Sequence, residues 1–472
     1  MAKQKNRPSL FLEGGALLFD RTWVPKQLLE PGKITARAIA RTEVLMGCQA
    51  AGIAPQDLAA GSDFLRTLEK ETGLRWLSAN LVDPGTGQPL FTPFLITEAG
   101  TLRIGVVGLS APPPATVEPS DAWQVVDWRK ILPPLVQTLE KETDMIILLS
   151  SYPPAENEEI ARSFDALHIL LQAGHGTANM APKNINNTLI LQTGSRGKYL
   201  GMLEINWNSS KKWGRSLKEL LRETTRQQDR ISWQIGRLKK RYPADVLATN
   251  SRYRELVRQL RETEEKLRQL EQRKKQGRLE FCSFTNRFIA LKPNIPQDPR
   301  VQEIIDEARR AANRLNREIA RAERRRPAAK MAISAPVQAL RSLSGWKTCR
   351  TCHPQQTSFW QQTGHARAWQ SLEEKNQQHN PTCQKCHVTL PSYSLDPQLT
   401  RAILVRMDSE LKNVGCEACH GPARRHGNTP DQFKPTLPGE ATCRQCHQGD
   451  HDDNFVFADK IQRIRCPTTK NP

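Results

Sequence analysis

The sequence predicts a multidomain chain of three unlike parts: a layered α/β domain over residues 1–208, a charged helical connector of hairpin or coiled-coil type over 209–335, and a mainly α and loop domain over 336–472. Three observations carry this. The first part alternates continuous apolar runs with helical spacing. The second repeats apolar residues every three or four positions among charged ones. The third holds eight of the chain's eleven cysteines in four copies of CxxCH. A chain of 472 residues is also too long for one compact core.

In the first part, strands are expected at Leu10–Leu12, Leu77–Leu81, Leu102–Leu109, Asp144–Leu149, Leu167–Leu171 and Thr188–Gln192. Several are unbroken apolar runs, as in strands buried on both faces. Helical spacing lies between them, for example over Ala36–Ala51 and Ser62–Thr72, which gives a layered α/β domain.

In the connector, a helix is expected from Ser216 to Tyr242, stopped by Pro243. Tyr253, Leu256, Leu260, Thr263, Leu267 and Leu270 then recur at heptad spacing, as do Val301, Ile304, Ala308, Ala311 and Leu315. Residues 286–300 carry three prolines and should be extended or turning. An antiparallel helical hairpin is expected, with dimerisation through these helices as the alternative. The run Arg324–Arg326 reads as a solvated helix end, or else as a docking patch.

The third part carries the chemistry. Its pairs are Cys349 with Cys352, Cys383 with Cys386, Cys416 with Cys419, and Cys443 with Cys446, followed directly by His353, His387, His420 and His447. Two thiols at this spacing can form thioethers to the two vinyl groups of one haem, and the next imidazole is drawn under the iron. Zinc is the main rival, but it needs no histidine directly after every pair. Histidine makes up only 10 of 472 residues, so four such placements favour haem. A disulfide framework explains the histidines no better. The expectation is four covalently attached haem c groups.

Eight of the ten histidines lie between His353 and His451: the four proximal ones, and His365, His379, His426 and His451. Imidazole on the second face of a haem gives lower potentials than methionine does. His379 and His451 read equally well as solvated loop residues. Four porphyrins in so short a segment must themselves form much of its core. Cys48 and Cys282 read as small buried apolar residues.

The stretches CHPQQTSFWQQTGHARAW and CEACHGPARRHG resemble the multihaem cytochrome c-552/c-554 type over about residues 346–466. The resemblance implies that His365 and His426 are distal ligands, and that haem is attached outside the cytoplasm. One departure stands out. The family closes on a lysine-rich stretch ending in histidine, whereas IQRIRCP puts Cys466 there. One haem is therefore expected to be five-coordinate, or ligated by His451, His379 or the Cys466 thiolate.

A second resemblance lies upstream. The segments LSANLVDPGTGQPLFTPFLI, LRIGVVGLSAP, DMIILLSSYP, LHILLQAGHGT and LILQTGSRGKYLGMLEI follow the order of motifs in the metallophosphoesterase domain of 5′-nucleotidases. That family holds two metal ions on Asp, His and Asn at strand ends to activate water. Here Ala16 stands at the bridging aspartate, Pro55 and Gln56 at the Asn-His pair, Ser151 at the next histidine and Thr177 at the second histidine of the GHxH turn. His175 remains, and one imidazole cannot hold two divalent cations. The domain is expected to be a catalytically dead scaffold or binding module.

Net charge is +20 and the calculated pI 9.7; haem propionates would reduce this field without reversing it. Acidic redox partners or anionic envelope surfaces suit such a chain. No basic motif with interleaved aromatics appears, so nucleic acid is not expected. No run is apolar enough to span a membrane. The N-terminus is a poor signal peptide because Glu13 interrupts its apolar stretch. Placement outside the cytoplasm therefore implies an export signal upstream of residue 1. The combined expectation is an extracytoplasmic multihaem electron carrier. A metal-dependent hydrolase fused to a cytochrome, and a haem-based reductase or oxidase of small nitrogen compounds, are the rivals.

Overall fold

A computed structural model describes residues 7–115, 121–176, 178–195, 197–214, 217–275, 281–292, 294–325, 339–391, 401, 403–448, 452 and 455–467. In chain order, its first elements are β1 (Leu12–Glu13), α1 (Lys26–Met46), β2 (Ala50–Gly52), α2 (Ser62–Thr72), β3 (Arg75–Leu77), β4 (Leu81–Val82), β5 (Phe94–Ala99) and β6 (Leu102–Leu109). There follow β7 (Gln124–Val125), α3 (Trp128–Glu142), β8 (Met145–Ser150), α4 (Pro154–Ser163), β9 (Ile169–Gln172), β10 (Met180–Ile185), β11 (Thr188–Gln192) and β12 (Tyr199–Asn206). The last are α5 (Leu217–Arg241), α6 (Ala244–Thr249), α7 (Ser251–Lys275), β13 (Ser283–Ala290) and α8 (Pro299–Arg325), after which short helices follow one another to residue 464. The chain forms two compact units, each discontinuous in sequence: residues 1–16, 48–55 and 75–295 make one, and 17–47, 56–74 and 296–472 the other.

The first unit is built on a six-stranded sheet of order β10-β11-β9-β8-β6-β5. The four inner strands run parallel, and both edge strands are antiparallel to their neighbours. Side chains alternate across a strand, and here both faces are covered. Ile146 and Leu148 of β8 pack with Leu132, Val136 and Leu139 of α3 and Ile160 of α4. Met145, Ile147 and Leu149 face the other way, onto Ala50, Leu77, Trp213 and Cys282. That is why the strands read as unbroken apolar runs. Gly108 permits the close approach of β3 to β6, since a Cβ there would lie 2.0 Å from the Leu77 carbonyl oxygen.

The expected Leu77–Leu81 strand is two short strands, β3 and β4. The β12–β13 pair draws part of the connector into this unit. Its exposed, alternating residues hid it from a search for apolar runs. Cys48 and Cys282 are both buried. The helix expected to end near Tyr242 is α5, ending at Arg241. It packs on α7 through Ile231, Ile235, Tyr253, Leu256 and Leu260, as a helical hairpin.

In the second unit α8 packs along α1. Helix α1 begins earlier than its spacing suggested, holds Pro31 inside its first turns and stops at Gly47, whose φ is 92°. Asp57 is fully buried and accepts from the amides of Leu17 and Leu18 at 2.8 and 2.9 Å. Arg324 and Arg325 end α8 exposed, while Arg326 lies outside the described residues. No helix of the described residues is long and apolar enough to cross a membrane.

Candidate haem sites

The four CxxCH motifs lie on short helical turns: Trp346–Cys352 with His353 following, Pro381–His387, Cys416–His420 and Glu440–Cys443 with Cys446 and His447 following. A helical turn brings residues three apart onto one side, which aims both thiols of a motif together. Gly421, at φ 77°, turns the chain sharply after His420. The Cys349 thiol reaches that of Cys416, and the Cys386 thiol that of Cys446. The first motif thus adjoins the third, and the second adjoins the fourth. Burial pushes the Cys419 thiol up to about 11 and raises that of Cys383, so both stay protonated at neutral pH.

The imidazoles decide what these motifs can hold. The rings of His353 and His426 lie nearly parallel, with centroids 6.1 Å apart and planes 21° apart. Those of His365 and His447 lie 6.0 Å apart at 57°. Metal–imidazole bonds of about 2 Å on each side of one ion place two ring centroids roughly 6 Å apart. The spacing in each pair matches what two imidazoles would need to hold one iron between them. Each pair also joins a proximal histidine to one that follows a different motif.

Second contacts fix ring orientation. Nδ1 of His387 lies 2.8 Å from the Ala368 carbonyl, that of His420 3.0 Å from the Thr436 carbonyl and that of His426 2.7 Å from the Phe433 carbonyl. A carbonyl only accepts, so Nδ1 carries the proton in each and Nε2 is the nitrogen left to bind metal. His447 donates likewise to the Asp452 carboxylate at 3.0 Å. Burial and the neighbouring His447 lower the pKa of His365, keeping it a neutral donor. This donor set fits haem c.

His379 lies elsewhere, its backbone held by Asn313 of α8 at 3.0 Å. Its pKa is lowered by burial and by Arg317, Lys412 and Arg321. His451 lies outside the described residues. Cys466 is half-buried and acts electrostatically on Cys416 and Cys419.

Two charged residues escaped the sequence reading. Glu417, between the cysteines of the third motif, is 4% exposed. It accepts from the amides of Ser344, Gly345 and Ala423 at 2.8 to 3.1 Å, tying the start of the first motif to the third. Arg401 is 3% exposed and donates to Asn316 of α8 at 2.7 Å. An acid enclosed by a cysteine pair could have signalled the first; nothing local signals the second.

In the first unit, the positions of the metallophosphoesterase resemblance fall at strand ends. Ala16 follows β1 with φ 56°, Pro55 follows β2, Ser151 follows β8 and His175 follows β9. Gln56 belongs to the second unit, and Thr177 lies outside the described residues. The carboxyl ends of parallel strands are where such sheets bind ligands. Here the polar groups bind one another. Asn157 accepts from Ser150 Oγ at 2.6 Å and donates to the Tyr152 carbonyl and Gln172 at 2.7 and 3.0 Å. Gln172 donates to Gln192 at 2.8 Å, Asn80 to the Ser110 carbonyl at 2.8 Å, and Ser151 Oγ to the Ile53 carbonyl at 3.1 Å. His175 Nε2 donates to the Ser151 carbonyl at 2.7 Å. Burial raises the Tyr152 hydroxyl to about 12.

The family model described as "Cytochrome c554 and c-prime" matches residues 348–421. Cytochrome c-554 of Nitrosomonas europaea is 30% identical over an alignment of 102 residues, with 17% of this chain and 38% of that protein covered. The C-terminal region is cytochrome c-554-like. The chain thus spans well under half the length of the curated relative it matches. Among solved structures, a Thermus thermophilus sulfate thiohydrolase in complex with glycerol is similar at TM-score 0.36 and 24% identity, over 42% of this chain and 36% of that one. A 5′-nucleotidase precursor from Thermus thermophilus gives 0.32 and 18% over 44% of each chain. A calcineurin-like phosphoesterase from Bacillus subtilis gives 0.34 and 17%, over 42% of this chain and 72% of its own. At these scores the likeness assigns neither activity nor ligand to the first unit.

Proposed function

We propose that the protein is a multihaem electron carrier working outside the cytoplasm, with four haem c groups on its CxxCH motifs and a catalytically degenerate α/β unit serving as scaffold or binding module. The observation that carries this is two pairs of imidazoles, His353 with His426 and His365 with His447, each about 6 Å apart and each containing one CxxCH histidine. Haem supplies a one-electron iron couple when bound.

The chain's own residues do the rest. The eight motif thiols anchor four rings through thioethers, and the adjoining motifs keep neighbouring rings within reach of one another. His387, His420, His426 and His447 are held by Nδ1 donation, so their Nε2 atoms need little reordering to bind iron. The carboxylate behind His447 makes that ring the strongest donor of the set, which favours ferric iron there. The basic field suits acidic redox partners and anionic envelope surfaces, and the α5–α7 hairpin offers a route to self-association.

The self-satisfied polar groups at the sheet's strand ends support a degenerate first unit, because water and metal would have to break existing hydrogen bonds to enter. A second reading, reduction or oxidation of small nitrogen compounds, draws on His387 and His420: among the described residues no second imidazole ring faces either.

The test is the full chain made in a host competent for haem c attachment. Four haems by mass, at least two of them low-spin with bis-imidazole resonance signals, are expected. A bare polypeptide mass without Soret absorption would sink the proposal. Stoichiometric manganese or zinc with phosphoester turnover would restore the hydrolase reading.

A further inference from the structure

Arg401 is a cation with an unanswered arm. Its side chain is almost wholly enclosed. Nη2 donates to Asn316 Oδ1 at 2.7 Å, but among the described residues Nη1 has no hydrogen-bond partner. A guanidinium cannot shed its proton to escape burial, so an enclosed one needs an anion with acceptors to spare. The carboxylate that acts on it is Glu323, also buried, whose backbone carbonyl takes Arg406. Near His379 the charges are mixed, three cations and the Glu373 carboxylate. Arg317, Arg321 and Lys412 all act on nearby His379, and Lys412 caps the Trp369 ring at 4.6 Å.

The location points to the second motif. Val388, directly after His387, packs with Leu390, Ile403 and Leu404 in a small apolar cluster that Trp369 and Met407 adjoin. Arg401 stands two residues before Ile403 in the chain. Helix α8 holds both flanks of the motif from one face: Asn313 donates to Gln378 at 3.1 Å and accepts from His379 N at 3.0 Å, while Asn316, three residues on, holds Arg401. We infer that Arg401 receives a propionate carboxylate of the haem attached at Cys383 and Cys386, with Asn316 fixing the guanidinium so that Nη1 points to it. The planar fork suits a carboxylate. Helix α8 thereby becomes a positioning element for that haem.

This inference rests on the four-haem reading, so haem content is measured first. The experiment is a spectroelectrochemical titration of the full holoprotein at several pH values. In Arg401→Met, with four haems retained, one midpoint potential moves down, because losing a nearby cation favours ferric iron. The same midpoint gains a pH dependence near neutrality, since the released propionate is no longer held ionised. Arg401→Lys restores most of the shift. In the Cys383→Ser, Cys386→Ser protein, which lacks that haem, Arg401→Met moves no midpoint. Should Arg401→Met not fold, Asn316→Ala loosens the guanidinium and moves the same midpoint by less. Four unmoved midpoints, a shift that survives loss of the second haem, or equal effects of Met and Lys would each overturn the clamp while leaving the electron-carrier reading intact. A haem-free chain would overturn both.

Discussion

The strand ends of the sheet and the CxxCH region are both rich in polar and titratable side chains, yet they spend their hydrogen bonds differently. At the strand ends, Asn157, Gln172, Gln192, Asn80 and Ser151 pair with each other and with backbone carbonyls. In the CxxCH region, imidazoles give one nitrogen to the chain and keep the other for something else. A polar cluster that satisfies itself has little left for a ligand. One that holds its donors in place and leaves one end uncommitted is preorganised for a ligand.

The contrast can be broken at several points. The largest effect is expected from Cys416→Ser with Cys419→Ser, which removes one haem and with it about a quarter of the Soret intensity. Intact-mass spectrometry reads this directly, and an unchanged mass would refute attachment at the third motif.

Next comes acid. His168 is 4% exposed. Burial, helped by Lys211, lowers its pKa to about 4, and its Nδ1 accepts from the Ile146 amide at 3.0 Å. The folded imidazole is neutral while the unfolded one protonates near 6.5. Its contribution is therefore intact above pH 6.5 and is lost as pH falls towards 4, at a cost of about 3 kcal/mol. Urea unfolding of the first unit at pH 7 and 4.5 should show this loss, and His168→Gln should flatten it.

A smaller change is expected from Asn157→Ala. It leaves Ser150, Tyr152 and Gln172 each short of a partner and should cost about 1–3 kcal/mol. No phosphoesterase activity should be gained or lost. Detectable hydrolysis in the parent that vanishes in the variant would mean that the cluster is a working site.

The smallest effect on stability but a clear spectroscopic one is expected from His426→Ala. One haem should pass from low to high spin and bind added imidazole, with the haem count unchanged. If the spin states stayed as they were, His353 would have another partner.

Legibility in the sequence followed the range of the interactions. The CxxCH motifs are local in sequence and could be picked out as candidate haem sites without knowledge of the fold. Strands β6, β8 and β11 were readable because burial on both faces leaves an unbroken apolar run. Strands β12 and β13 were not, since their partners lie far apart in the chain and their exposed residues interrupt the pattern. His365 and His426 could be picked out as spare imidazoles, but not which proximal ring each would face. The apolar stripe of α8 was visible, yet it packs against α1, a pairing no local spacing encodes. Arg401 and Glu417 were invisible for the same reason: a charge reads as surface until the fold encloses it.

The interleaving of the histidine pairs bears on how the molecule is made. His353, in the first motif, faces His426, which lies beyond the third, and His365 waits for His447 in the fourth. A chain emerging from its N-terminal side would display the first motif long before either crosswise partner exists. Haem inserted early would spend that interval with one face open to solvent, thiols or oxygen. On the proposed four-haem reading, the first ring would need shielding, or late attachment, until His426 had been delivered.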